Sequence, residues 1–160
     1  MNDQGFNRVI WAERRAHRAL SSAKERQLRP LELSSAHYSL LAAISGNPGA
    51  MGAELARELS VTPQNIAGLT ARLERRGLIE RQPNARHRNV VEMWVTVKGE
   101  ELLAEADAAM IELERTIARI LGADGSERLR RLLEDLADGL EGENRQGGRV
   151  RGRTRPPAPN

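Results

Sequence analysis

The chain has 160 residues, enough for one domain, and no cysteine, which excludes a disulfide framework, thiolate metal sites and a cysteine redox switch. At 39% hydrophobic and 2% aromatic, its core must be built mostly of Leu, Ile, Val and Ala, as packed helices are. The net charge of +3 is unevenly spread: residues 62–88 hold six arginines against two acids and 100–143 are acidic, so a polyanion partner is expected at one place only.

Residues 1–15 lack the apolar stretch and cleavage site of a signal peptide. No apolar run approaches the ~18 residues of a membrane span. The expected location is the cytoplasm. Residues 6–28 place Phe6, Val9, Ile10, Ala16, Leu20 and Ala23 at roughly helical spacing, an amphipathic helix that ends before Pro30. Ser34 or Ser35 can cap a second helix carrying Tyr38, Leu40, Leu41 and Ile44, which stops at Gly46-Asn47-Pro48-Gly49. A short third helix is expected at 52–59. A fourth is expected at 63–76, with Thr62 as its N-cap, Pro63 in its first turn and Gly77 as its C-terminal stop.

The period then changes. Residues 78–81 and 90–95 are β-rich and flank the polar stretch 83–89, which predicts a β-hairpin with a long basic tip. Thr96 can cap a fifth helix, with Glu100 and Glu101 in its first turn. Leu102, Ala106, Met110, Leu113, Ile117 and Ile120 form an apolar stripe along it. After a break at 122–125, Leu129, Leu132, Leu133, Leu136 and Leu140 lie on one face of a sixth helix. From residue 144 onward Gly, Pro and Arg replace any apolar period, so 144–160 is expected to be a disordered basic tail. The fold class is mainly α with a small β-hairpin wing.

On a wheel of about 100° per residue, Ile66, Leu69 and Leu73 form the buried face of the fourth helix. Gln64, Gly68, Ala71 and Arg75 point the other way, with Asn65 and Arg72 on one flank. Gly68 costs ~1 kcal/mol relative to Ala inside a helix but permits close backbone approach on an outward face. The helix start at Thr62 and Pro63 presents free N–H groups to a phosphate. Gln and Asn can each bond an adenine edge at two points, and Arg a guanine edge. Arg86, His87 and Arg88 at the hairpin tip suit a narrow minor groove, whose negative potential attracts an inserted Arg. Each feature alone also fits a plain solvated face or loop. Their order, helix–turn–helix and then basic hairpin, favours DNA.

With these residues in place, the chain resembles the MarR family of winged-helix transcription regulators over about residues 6–141. The matching pieces are Leu55-Ala56-x-x-Leu59-x-Val61-Thr62-Pro63, Leu69-x-x-Arg72-Leu73-Glu74-x-x-Gly77-Leu78-Ile79 and Val95-Thr96-x-x-Gly99. The family's Asp-x-Arg in the wing reads Asn84-Ala85-Arg86 here, so Arg86 is expected to be held less firmly. Where many members have an Arg and an acid, the recognition helix has Gly68 and Ala71, which shifts weight to Gln64, Asn65 and Arg72. The resemblance implies one domain over 1–143: a winged helix-turn-helix at about 34–96 and dimerisation helices at about 6–28 and 97–141. The apolar stripes of 102–121 and 129–140 agree with a homodimer independently.

The resemblance also implies a ligand-responsive repressor on a pseudo-palindromic operator, with a phenolic or anionic effector. Candidate effector-lining residues are Trp11, His17, His37 and Tyr38, each of which also fits ordinary packing or a surface position. No catalytic residue, metal or cofactor is expected: there is no HExxH, no phosphate-binding glycine loop and no nucleophile elbow, and His17 and His37 lack metal-ligand spacing. The alternative reading is a nonspecific or architectural winged-helix DNA-binding protein that leans on its basic tail.

Overall fold

A computed structural model describes residues 8–84 and 91–150, with side chains through Gly142. The elements in chain order are α1 (Val9–Leu28), a single 3-10 turn (Arg29–Leu31), α2 (Ser35–Gly46), β1 (Ala50–Met51), α3 (Gly52–Glu58), α4 (Pro63–Arg75), β2 (Ile79–Pro83), β3 (Val91–Val95), α5 (Val97–Leu121) and α6 (Ala123–Val150). The mainly-α architecture with a hairpin wing is the one the sequence predicts. The chain falls into two compact units that divide between Leu113 and Glu114. None of the described helices is long and apolar enough to cross a membrane.

The helix starts follow local chemistry. Ser34, not Ser35, caps α2, its hydroxyl accepting from the His37 N–H at 3.3 Å. Thr62 caps α4 by accepting from the Asn65 N–H at 3.2 Å, with Pro63 at the first helical position. At the far end of α4, Gly77 takes φ +69. Its N–H reaches the Glu74 carbonyl at 2.8 Å, and the Leu78 N–H reaches the Leu73 carbonyl at 3.0 Å. That pair of bonds is a Schellman stop, and it turns the chain directly into β2.

The core of the first unit joins Leu28, Leu40, Leu41, Ile44, Leu55, Ile66, Leu73, Leu78, Ile79, Leu103 and Ala106. β2 and β3 pair antiparallel from Ile79↔Val95 to Pro83↔Val91. β1 adds a third strand on the other side of β3, through Ala50↔Met93. A two-residue strand leaves no periodic signature, so the sequence gives no hint of it. On α4, Thr70 joins Ile66 and Leu73 in the interior while Leu69 is half-buried. Thr70 is tolerated there because its hydroxyl donates to the Ile66 carbonyl at 2.7 Å.

On α5 the buried positions are Gly99, Leu103, Ala106 and Leu113. Ile120, expected on the same stripe, is 75% exposed. In the second unit, α6 shows Leu129, Leu132, Leu133, Leu136 and Leu140 all exposed on the expected face. α6 also passes the boundary expected near residue 143 and reaches Val150. Extending a formed helix adds a hydrogen bond per residue fixed, whereas the sequence pattern only tracks where a helix must bury something. The helix thus continues past residue 144 as far as Val150, and residues 151–160 of the expected tail lie outside the described residues.

Gly99 is where α5 touches the hairpin. A Cβ there would lie 2.0 Å from the Leu78 carbonyl oxygen and 2.6 Å from Val95 Cγ1. Neither neighbour has room to yield, since one is backbone and the other is in a paired strand. Gly99→Ala is expected to cost about 1–3 kcal/mol of stability in urea unfolding, as overpacking does.

Candidate nucleic-acid interface

The helix-turn-helix is closed by backbone hydrogen bonds. After α3 the Val61 N–H reaches the Ala56 carbonyl at 2.9 Å and the Ser60 N–H the Arg57 carbonyl at 3.2 Å. This holds Ser60 in the left-handed region at φ +53. The turn aims α4 outward. Gln64, Asn65, Gly68, Arg72 and Arg75 are exposed, while Ile66, Thr70 and Leu73 anchor the opposite face. A Cβ on Gly68 would meet nothing within 4 Å, so nothing inside the protein requires a glycine there. The exposed N-terminus, with Thr62 and Pro63 at its edge, carries the positive end of the helix dipole.

The arginines sort into different roles. Arg76 faces back into the protein: its guanidinium donates to the Glu32 carbonyl at 2.8 Å and the Leu31 carbonyl at 3.1 Å. Arg81 is held by Glu74, its Nε donating at 2.9 Å and its Nη2 reaching the same carboxylate oxygen. That bond holds the Glu74 carboxyl below the usual carboxylate range and raises Arg81. Arg72 and Arg75 stand exposed on the last turns of α4. Arg86, His87 and Arg88 lie outside the described residues. Residue count alone overstated the basic surface, because two of the six arginines already serve carboxylate or carbonyl partners in the protein.

At the base of the wing, the Asn84 side-chain amide donates to the Glu92 carboxylate. An aspartate at position 84 would set two carboxylates against each other. The departure from the family's Asp-x-Arg therefore comes with a partner suited to an amide.

A cleft of about 680 Å³ opens beside α4, lined by Glu25, Arg26, Arg29, Glu32, Leu33, Ser34, His37 and Arg72. Arg72 thus borders both the outward face of the recognition helix and this cleft. His37 is buried, and Ser34 Oγ lies 2.6 Å from its Nδ1. With the hydroxyl donating, Nδ1 is the acceptor and the ring proton sits on Nε2. Burial lowers the His37 pKa, Arg72 and Arg76 lower it further, and Glu25 opposes them. The other effector candidates do not join it in the cleft. Tyr38 donates to Asp107 at 2.8 Å, and burial with that bond pushes its hydroxyl up to about 12. Trp11 is exposed on α1 with the Arg14 guanidinium 5.7 Å from its ring centre, and His17 is exposed on the same helix. Sequence reasoning missed Arg26, Arg29 and the cleft itself: its lining falls within residues 25–37 except for Arg72, and only the fold brings Arg72 against that segment. The Ser34-x-x-His37 spacing was its one local signal. No group of three or more His, Asp or Glu among the described residues could hold a metal ion.

A sequence model of the MarR family matches residues 31–88. The transcriptional repressor Rv2887 of Mycobacterium tuberculosis is 30% identical over 109 residues, spanning 68% of this chain and 78% of that one. Among solved structures, the repressor CouR bound to a 23-mer DNA duplex aligns with a TM-score of 0.81 at 26% identity, over 84% of this chain and 96% of that one. CouR bound to p-coumaroyl-CoA aligns with a TM-score of 0.77 at 25% identity, over 86% and 96%.

His37 makes stability depend on pH with a definite sign. Its folded pKa lies below the unfolded 6.5, so the unfolded chain binds the proton first on acidification. The stabilising contribution is complete above 6.5 and is lost as pH falls through the folded value. Urea midpoints taken between about pH 7.5 and about pH 5 should fall on the acid side, and His37→Gln should show a smaller fall.

Proposed function

The chain belongs to the MarR family of DNA-binding transcription regulators, and we propose that it is a homodimeric, effector-responsive repressor of a pseudo-palindromic operator. The observation that carries this reading is the outward face of α4. It offers Gln64, Asn65 and Arg72 for base edges, Gly68 for close approach, and a capped N-terminus with Thr62 and Pro63 for a phosphate. Arg75 and the wing's Arg86, His87 and Arg88 add backbone and minor-groove contacts. The second copy covers the leucine face of α6, where five leucines would otherwise stand in water. Two recognition helices then enter successive major grooves about 34 Å apart.

The effector site is the cleft beside α4. Arg26, Arg29 and Arg72 supply charge for a carboxylate, and the Nε2–H of His37 supplies a donor for a phenol or second oxygen. An anion that draws Arg72 into the cleft removes it from the DNA face, so effector and operator compete for one side chain. Tyr38, Trp11 and His17 are secondary in this scheme. CouR, which has been seen bound to p-coumaroyl-CoA, offers a precedent for an anionic aromatic ligand in this fold. The protein performs no catalytic step and needs no cofactor or metal. It works in the cytoplasm, where its operator is.

Selection of random duplex DNA by the purified protein at two salt concentrations tests the reading. An enriched inverted repeat with half-sites one turn apart is the expected result. Salt-dependent binding without an enriched sequence would place the chain among architectural proteins instead. With Arg75 and Arg88 of both subunits on phosphates, log K should fall against log salt with a slope of about −4. Gln64→Ala should change the preferred base at one position, while Arg86→Ala should weaken all sequences alike. Gly68→Ala should raise stability by up to ~1 kcal/mol yet weaken operator binding.

A further inference from the structure

The Glu74–Arg81 pair joins the last turn of the recognition helix to the first strand of the wing. Between them the chain has only the Schellman stop at Gly77 and the buried Leu78. That stop fixes where β2 begins. The direction of the strand beyond Ile79 depends on what its α4-facing side touches. Strand alternation puts Ile79 and Arg81 on one face, opposite Val95 and Met93. Met93 is buried, with its sulfur 3.8 Å from the Thr70 hydroxyl of α4. At this edge of the core the inward strand position carries an arginine, and its guanidinium crosses to Glu74 with two donors on one carboxylate oxygen.

Three physical points assign the pair to orientation rather than stability. Its side chains are 43% and 37% exposed, and ion pairs that wet stabilise little. An acid in the last turn of a helix opposes the helix dipole, and alanine is the better helix former there. The planar guanidinium fork nevertheless accepts a narrow range of geometries. We propose that Glu74 is a positioning residue for DNA recognition, holding β2 through Arg81 so that recognition helix and wing meet the duplex in a fixed relation. The same contact keeps Arg81 from binding phosphates indiscriminately. This rests on the operator-binding reading above.

Charge and geometry predict opposite signs, which makes the idea testable. Removing a carboxylate beside DNA should tighten all binding if only charge matters. The experiment compares the full-length wild type, Glu74→Ala and Glu74→Gln on the selected operator and on random duplex, with thermal midpoints measured in parallel. Alanine removes both the charge and the acceptor, whereas glutamine removes the charge but keeps an acceptor for Arg81. The expected result is a several-fold loss of operator affinity for Glu74→Ala, with random-duplex affinity unchanged or raised and the thermal midpoint close to wild type. Glu74→Gln should retain most of the operator-to-random ratio. The proposal is overturned if Glu74→Ala keeps the wild-type ratio, or if glutamine loses it as fully as alanine. Wild-type protein that does not distinguish operator from random duplex would overturn the operator-binding reading itself.

Discussion

The carbonyl group of Leu78 lies where recognition helix, wing and α5 meet, and the DNA-facing geometry depends on that crossing. The Thr96 N–H donates to it at 3.0 Å, and Gly99 packs against it with no space for a side chain. One residue earlier, the Gly77 carbonyl accepts from the Thr96 hydroxyl at 2.7 Å, and Lys98 caps the Arg76 carbonyl at 2.8 Å. Three consecutive carbonyls at the end of α4 are thus satisfied by the start of α5. The orphan acceptors of one helix and the capping residue of the next solve each other's problem. The wing strands leave from the same place, so their origin relative to α4 is set by backbone hydrogen bonds and a steric contact.

Charge is distributed around that frame with a division of labour. Arg76 ties α4 to the 3-10 turn after α1 through the Leu31 and Glu32 carbonyls, and Arg81 ties β2 to α4. Arg72 and Arg75 remain directed at solvent. Asn84 and Glu92 hold the base of the hairpin with a polar bond that carries one charge rather than two. A basic surface built this way has fewer available cations than its composition implies.

The cleft beside α4 links this surface to the first half of the chain. Burial and the two arginines next to it disfavour the charged form of His37, which shares the cleft with Arg26, Arg29, Glu25 and Glu32. Arg72 belongs to both places.

The sequence by itself determined the order of the helices and of the two wing strands, since helix and strand periods, caps and turn residues are local. Thr62, Pro63 and Gly77 marked both ends of the recognition helix, and the period of Ile66 and Leu73 assigned its inner face. The outward residues Gln64, Asn65, Gly68, Arg72 and Arg75 followed from the same wheel. Only the tertiary structure decided which arginines are available, because a guanidinium's partner is chosen by proximity in space: Glu74 is seven residues from Arg81, and Glu32 is 44 from Arg76. It also decided that His37 shares a cleft with Arg72 while Tyr38, its chain neighbour, turns to Asp107. Adjacent residues on a helix point about 100° apart, so neighbourhood in sequence does not give neighbourhood in a site.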